Sequence, residues 1–177
     1  CQQLADLLMV DADESSFTSH HEAHCLHLDA NGSARGAAAL PNLAAHRLNE
    51  GITNISELLV KSELVVLLTA LGGGTGSGAT AEIAAKSRDS GSLVISIVGI
   101  PFAEQPLRCA IAEKALPPIE RNSDLCIRVS LERLAWQARH RDSDWKLGSE
   151  WIGELIEGLV TTLARVGKMN LDLMDLR

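Results

Sequence analysis

The fold is decided by residues 64–78, LVVLLTALGGGTGSG, in which an apolar run leads into a glycine-rich loop. The run at 64–70 is partly β-branched, which is typical of a strand buried on both faces of a sheet. A helix of small residues is predicted to follow from about Ala79 to Lys86. Residues 93–98, LVISIV, predict a second buried strand. Strands separated by helices indicate parallel β-α-β units, so we expect an α/β protein with a doubly wound, mostly parallel sheet.

Further elements are predicted on both sides of this unit. Residues 7–10, LLMV, form a short apolar run that ends in acidic residues. Residues 14–40 are predicted to be loop with at most a short helix, and a helix is predicted from Pro41 to about Leu59. Residues 104–121 predict a helix interrupted near Pro117-Pro118, and a strand is predicted at 125–129.

The last predicted helix, at about 146–166, has the clearest pattern. Apolar residues recur at helical spacing from Trp151, which we expect in the core, to Val166. Glu150, Glu154 and Glu157 fall on the opposite, solvated face. Gly167 is a typical residue for the C-terminal cap of such a helix.

Composition limits the classes of protein that the chain can be. Its 177 residues are 46% apolar and 22% charged, which fits one domain and excludes collagen-like, disulfide-rich and disordered proteins. The net charge of −7 argues against direct binding to nucleic acid. The apolar runs are far shorter than the roughly 20 residues needed for membrane insertion.

Four cysteines without a CxxC pair suit a reducing compartment, so we expect a cytoplasmic protein. Because the chain begins with Cys1 and not with Met, we expect a fragment of a longer protein.

The glycine-rich loop at 72–78 is the candidate anion site. It lies between a predicted strand and a predicted helix, where backbone N–H groups and the helix dipole favour a negative charge. Glycines let phosphate oxygens approach the backbone closely, and Thr75 and Ser77 add hydroxyl donors. The alternative is a tight turn without a ligand. Ordering seven such flexible residues costs chain entropy. We therefore expect the loop to be kept for a phosphate ligand and not only for a turn.

Two well-known phosphate motifs fit this loop poorly. It is not a Walker loop, because no Lys-Ser/Thr pair follows the glycines. Gly74, Gly76 and Ala79 formally match the dinucleotide fingerprint. However, the next strand ends in residues 97–101, IVGIP, without the acidic residue that would hold a ribose.

The loop resembles a different family. GGGTGSG at 72–78 resembles the glycine loop of the tubulin/FtsZ family, and NLDLMD at 170–175 resembles its synergy loop, N-x-D-x-x-D. PFAEQPLR at 101–108 is similar to the family's Pro-Phe…Glu…Arg segment, and VDADE at 10–14 to its strand-end acidic loop. The resemblance implies a partial, Rossmann-like GTPase domain over residues 1–177 that lacks the first β-α unit and the C-terminal domain. It would end in the central helix (about 146–166) and the synergy loop (167–177).

The resemblance also implies a function and its residues. The protein would bind GTP or GDP with Mg²⁺, assemble head to tail with copies of itself, and hydrolyse GTP at the subunit interface, in cell division or cell shape. Membrane-tethering adaptor proteins are implied as further partners. Asn170, Asp172 and Asp175 would serve catalysis, and Asp11 and Asp13 would hold magnesium through water. The implied nucleotide-binding residues are Gly72, Gly73, Gly74, Thr75, Gly76, Ser77, Glu104, Arg108, Trp145, Ser149 and Asp11.

Two alternatives from other classes stay open. A non-catalytic, filament-forming protein with a degenerate nucleotide site is suggested by Leu131-Glu132, where the family has Asn-Asp, and by Ile100, where it has a basic residue. An NAD-dependent oxidoreductase is the other alternative, and it would need no neighbouring subunit.

A histidine-rich segment raises the question of a metal site. Its candidate ligands are His20, His21, His24, Cys25 and His27. Their spacing matches neither HExxH nor a zinc finger, so we predict a solvated loop.

Overall fold

The computed structural model describes residues 6–17, 24–28, 40–51, 53–140 and 146–164. The strands are β1 (Leu8–Asp11), β2 (His24–His27), β3 (Leu64–Ala70), β4 (Leu93–Ile100) and β5 (Leu125–Ser130). The helices are α1 (Pro41–Gly51), α2 (Thr53–Lys61), α3 (Gly74–Asp89), α4 (Pro106–Arg121), α5 (Leu131–His140) and α6 (Lys146–Ala164), with a short 3-10 helix at Glu14–Phe17. This alternation confirms the predicted α/β class.

The described strands form two parallel sheets. β1 pairs with β2, and β3, β4 and β5 pair in that order. In the larger sheet Leu64 lies opposite Leu93, and Ile95 lies opposite Leu125. β4 is central, and its first seven residues are buried, which confirms the buried strand predicted at 93–98.

Helices cover both faces of the larger sheet, which confirms the doubly wound arrangement. Alternate residues of β4 point to opposite faces. Val98 packs with Ile119 of α4 on one face. Ile95 and Ile97 belong to the core cluster against which Ile156 of α6 packs on the other face.

The prediction that β3 is buried on both faces was wrong. Its residues are half-buried, and Leu68 is 56% exposed. The reason is position: among the described strands β3 pairs only with β4, so it forms one edge of the sheet. An apolar run shows that a strand is suited to burial, but it does not show on which side the sheet continues.

The prediction of an irregular segment at 14–40 was wrong at one place among the described residues. The 3-10 helix at Glu14–Phe17 fits the short helix allowed there, but β2 at His24–His27 was not expected. Its sequence, HCLH, has only one strongly apolar side chain, and that residue, Leu26, is the buried one. Parallel pairing with β1 makes this segment a strand, and the sequence pattern does not show it.

Two helix predictions also need correction, and one helix was not predicted. The single helix predicted from Pro41 to about Leu59 is two helices, α1 and α2, and Gly51 ends the first of them. α4 is not interrupted at Pro117-Pro118, because it continues to Arg121. The residues four positions earlier, Glu113 and Lys114, are exposed, so water can reach the carbonyl groups that lose a helical donor there. α5 was not predicted at all, although an acidic residue in its first turn and basic residues in its last turn favour a helix.

α6 matches the predicted final helix over Lys146–Ala164. Glu150, Glu154 and Glu157 are exposed, as predicted for its solvated face, and Trp151 is half-buried. The predicted cap at Gly167 lies outside the described residues. None of the helices in the described ranges is long and apolar enough to cross a membrane.

Candidate functional site

The candidate site is the first turn of α3, which begins earlier than predicted. The sequence predicted a loop up to about Ala79, but the helix starts at Gly74, with Gly73 as its extended N-cap (φ −102°, ψ 179°). The first N–H groups of a helix have no acceptor within the helix. Residues 74–76 therefore present backbone donors at the carboxyl end of β3, where the helix dipole also favours an anion.

Gly72 is fixed by packing against α4. Its φ is +95°, a conformation that residues with a side chain rarely adopt. A Cβ atom there would lie 2.8 Å from the Cβ of Arg108 and 3.0 Å from its carbonyl oxygen. The Gly72 N–H donates to the Ser77 hydroxyl at 2.9 Å, and Ser77 is 4% exposed. This donor is therefore used inside the protein, and Ser77 holds the loop in place.

Gly76 and Gly78 are required by close approach of neighbouring backbone. A Cβ on Gly76 would meet the Ala70 carbonyl oxygen and would lie 2.6 Å from the Thr69 hydroxyl. A Cβ on Gly78 would meet the carbonyl group of Pro41, at the start of α1. These two glycines of the motif are explained by packing of α3 against β3 and α1.

Gly73 is different, because no contact within the described part of the chain explains it. A Cβ atom there would meet nothing within 4 Å, and its φ and ψ suit any residue. A glycine at this point leaves the space beside the first N–H groups of α3 open. Open space beside these N–H groups is what an anion needs in order to reach the backbone.

Asp11 joins the end of β1 to this turn. Its Oδ1 accepts a hydrogen bond from the Ala12 N–H at 2.6 Å and a long one from the Thr75 hydroxyl at 3.5 Å. Its Oδ2 accepts from the Ser16 hydroxyl at 2.7 Å. Ser16 was not predicted as a site residue. The only signal in the sequence is its position in the polar segment after the strand.

The Asp11 carboxylate accepts hydrogen bonds at both oxygens, which fixes its orientation and leaves lone pairs for a water-mediated contact with magnesium. Asp13 is exposed, and its own N–H donates to Asp11 Oδ1 at 3.3 Å. In the described ranges, no three His, Cys, Asp or Glu side chains gather as a metal site. The described side chains at this site therefore do not surround Mg²⁺ with ligands from the protein alone.

His27, in the histidine-rich segment, has a packing role. Its ring is edge-on to Phe17, with 6.1 Å between ring centroids, and one ring nitrogen lies 3.2 Å from the Ala12 carbonyl oxygen. His24 and Cys25 are exposed. His20 and His21 lie outside the described residues.

Glu104 and Arg108 flank the entry to α4. Glu104 is exposed in the turn before the helix, and Arg108 is exposed in its first turn, with its backbone against Gly72. The turn is held by the Cys109 thiol, which donates to the Phe102 carbonyl oxygen at 3.2 Å. Arg108 is therefore beside the glycine turn, and its role in binding nucleotide stays a prediction.

The residues that depart from the family pattern have structural contacts. Ile100 packs against the core beneath α4. A methyl carbon of Leu131 lies 3.3 Å from the position that a Cβ on Gly99 would take. Neither contact supplies a polar group to the site.

The remaining predicted site residues stay predictions. Trp145, Asn170, Asp172 and Asp175 lie outside the described residues. Ser149 belongs to α6, but its side chain is not among the described ones.

The thiol of Cys126, on β5, is not suited to act as a nucleophile. Burial raises its pKa, and the Glu120 carboxylate raises it further, against a smaller opposing effect of Arg128. A raised pKa keeps the sulfur in its unreactive thiol form at neutral pH.

Comparison with known proteins agrees with this architecture. The family model for the tubulin/FtsZ family GTPase domain matches residues 1–137. The cell division protein FtsZ of Mycoplasmopsis pulmonis is 28% identical over 180 residues, covering 99% of this chain and 46% of that protein. The cell division protein FtsZ of Haloferax mediterranei is 32% identical over 146 residues, covering 81% of this chain and 39% of that protein.

Solved structures share the fold. An empty FtsZ dimer from M. jannaschii superimposes with a TM-score of 0.84 at 22% identity, over 97% of this chain and 51% of that one. CetZ from Methanosaeta thermophila gives 0.75 at 17% identity, over 96% of this chain and 48% of that one. This chain thus spans about half the length of the relatives that it matches. The family match over 137 of its 177 residues, together with the glycine turn at the carboxyl end of β3, shows that the chain belongs to the tubulin/FtsZ family and carries part of its GTPase domain.

Proposed function

We propose that this chain binds GTP and GDP at the first turn of α3, and that the protein is a cytoskeletal GTPase of cell division. The observation that carries the proposal is the open space at Gly73, next to the N–H donors of residues 74–76. The names of the FtsZ relatives supply the biological role. The family match to a GTPase domain favours a guanosine nucleotide over NAD.

The phosphates would lie against the backbone N–H groups of residues 74–76. The Thr75 hydroxyl would add a donor, and the dipole of the 16-residue helix α3 would favour the negative charge. Arg108, exposed beside Gly72, would add a positive charge on the side of α4. The Asp11 carboxylate repels phosphate, so it would face the nucleotide through water or a hydrated cation.

Hydrolysis is proposed at an interface between two copies of the protein. Attack on a γ-phosphate needs an oriented water molecule and a group that polarises it. Asp172 and Asp175 of one copy, with Asn170, would supply that group to the nucleotide of the next copy. A head-to-tail contact of this kind is heterologous and gives open filaments. Such a filament would leave other surfaces for adaptor proteins that tether it to a membrane.

Equilibrium binding of a fluorescent GTP analogue tests the nucleotide site. Gly73→Ala should weaken binding by about tenfold or more, because the new methyl group occupies the space before the N–H donors. Gly153→Ala is the matched control, since Gly153 also has nothing within 4 Å of a Cβ but lies in α6. If wild type and Gly73→Ala bind the analogue with equal affinity, the nucleotide does not bind at this turn. Tighter binding of NAD than of GTP would support the oxidoreductase instead.

Turnover at increasing protein concentration tests interface hydrolysis. GTP hydrolysed per chain should rise steeply above a threshold, and Asp172→Ala and Asp175→Ala should abolish the rise while nucleotide binding is retained. Flat and negligible turnover with tight GTP binding would favour the non-catalytic, filament-forming alternative, which the apolar Ile100 and Leu131 suggest.

A further inference from the structure

The Ser16 hydroxyl is the group that holds one of the two oxygens of the Asp11 carboxylate. Oδ1 of Asp11 accepts from two backbone N–H groups, at 2.6 Å from Ala12 and at 3.3 Å from Asp13. The Thr75 hydroxyl lies 3.5 Å from the same oxygen. Oδ2 accepts from the Ser16 hydroxyl at 2.7 Å, and no second donor reaches it from the described part of the chain. Since a carboxylate oxygen has about two lone pairs, Oδ2 keeps one lone pair for a water molecule.

The Ser16 hydroxyl is presented to this carboxylate by a well-anchored segment. Ser16 lies in the short 3-10 helix after β1, and its N–H donates to the Asp13 carbonyl oxygen at 3.2 Å. The next residue, Phe17, packs edge-on against His27 of β2. A ring nitrogen of His27 in turn lies 3.2 Å from the Ala12 carbonyl oxygen. Contacts on both sides of Ser16 therefore fix the position from which it donates.

A bound phosphate would make Ser16 more important to Asp11. The Thr75 hydroxyl has one hydrogen to donate, and in the proposed nucleotide site it donates to a phosphate oxygen. That hydrogen is then not available to Asp11 Oδ1, and this contact is already long at 3.5 Å. Of the two hydroxyl groups beside the carboxylate, Ser16 is the one that keeps its hydrogen bond when nucleotide is bound.

We propose that Ser16 is a positioning residue, whose hydroxyl fixes the Asp11 carboxylate so that Oδ2 accepts a hydrogen bond from a water molecule of hydrated Mg²⁺ bound with the nucleotide. The inference rests on the proposed nucleotide site, and it adds a residue that the resemblance does not supply. Mg²⁺ usually keeps several of its water molecules, so a contact through water suits this ion. Groups that orient a carboxylate beside a metal ion restrict its rotation, and their loss typically weakens metal binding by about 10- to 100-fold.

Equilibrium binding of a fluorescent GTP analogue to the full chain, once with Mg²⁺ and once with EDTA, tests this role. The ratio of the two dissociation constants is the gain in affinity that Mg²⁺ provides. Ser16→Ala should reduce this gain by about tenfold and leave the affinity in EDTA unchanged. Ser16→Thr keeps a hydroxyl and should keep the gain. Ser16→Cys keeps the size of the side chain but has only a weak donor, so it should lose the gain as alanine does, and it replaces the alanine variant if that variant does not fold.

The matched control is Ser62→Ala. Ser62 is half-buried, as Ser16 is, and its hydroxyl also makes one hydrogen bond, to the Leu58 carbonyl oxygen at 2.8 Å. It lies just before β3, at the end of the strand opposite to the glycine turn. Its removal should leave the gain from Mg²⁺ unchanged.

A double-mutant cycle shows whether Ser16 acts through Asp11. Asp11→Ala should remove the gain from Mg²⁺, and adding Ser16→Ala should then have no further effect on either dissociation constant. A serine with only a structural role would instead lower the Tm, and it would weaken binding in EDTA as much as in Mg²⁺.

The outcomes separate this inference from the proposed function. If the analogue binds but Mg²⁺ gives no gain, or Ser16→Ala keeps the gain, the inference is wrong and the nucleotide site stands. The inference is also wrong if Ser16→Ala weakens binding equally with and without Mg²⁺, or if its effect persists beside Asp11→Ala. If the wild-type chain does not bind the analogue under either condition, the proposed function is wrong and so is this inference.

Discussion

Replacing Gly78 by alanine should destabilise the protein, although alanine is the better helix former. Gly78 lies inside α3, and helix propensity alone predicts a gain of about 1 kcal/mol for this change. A Cβ atom there would lie 2.8 Å from the Pro41 carbonyl carbon and 3.0 Å from the Ala44 Cβ. The first of these atoms belongs to the backbone of α1, so no side-chain rotation can relieve the overlap.

The net effect follows from the contact between α1 and α3. Ala44 and Leu48 of α1 pack with Ala79 and Ile83 of α3 in one buried cluster. Moving the helices apart by roughly 0.5 to 1 Å forfeits a quarter to a half of the dispersion energy at each contact. Overpacking of this kind costs up to about 3 kcal/mol, which leaves about 2 kcal/mol of destabilisation after the gain in propensity. For a chain of this length the Tm should fall by about 4–8 °C.

Gly153→Ala is the control for this prediction. Gly153 is also inside a helix, but a Cβ there meets nothing within 4 Å, so the gain of about 1 kcal/mol should appear unopposed. Urea denaturation of the two variants should therefore differ by about 3 kcal/mol, with opposite signs relative to wild type. If Gly78→Ala proves as stable as wild type, the close approach of α1 to α3 does not determine this glycine, and the reasoning fails.

Three further predictions concern side chains. Ser77→Ala leaves the buried Gly72 N–H without its acceptor and should cost about 1–3 kcal/mol in denaturation; an unchanged midpoint would show that Ser77 does not hold the loop. The Cys126 thiol, whose pKa is raised by burial, should react with iodoacetamide more slowly than the exposed Cys25 at about pH 8. The reaction rate of Cys126 should rise only at higher pH. Equal rates for the two thiols, measured by mass spectrometry, would contradict this prediction. Asp172→Ala should leave the free energy of unfolding within about 0.5 kcal/mol of wild type while it removes concentration-dependent GTP turnover, and a large loss of stability would point to a structural role.

The sequence predicted the elements whose pattern is local. The apolar runs of β3, β4 and β5 and the helical spacing in α6 indicated their positions to within a few residues, because burial in a layered fold requires such patterns. The glycine motif at 72–78 indicated the site and, by resemblance, the family that the comparison confirms. β2 and the edge position of β3 were not predictable in this way, since both depend on which strand lies beside them.

Periodicity in the sequence by itself determined the fold class, and the resemblance of its glycine-rich motif indicated the family and a candidate site, because all of these are patterns of neighbouring residues. Only the tertiary structure divided the glycines of that turn by role. Gly72, Gly76 and Gly78 are required by atoms of α4, β3 and α1, whereas Gly73 faces open space. That division depends on distances between segments far apart in the chain, and such distances exist only once the chain has folded.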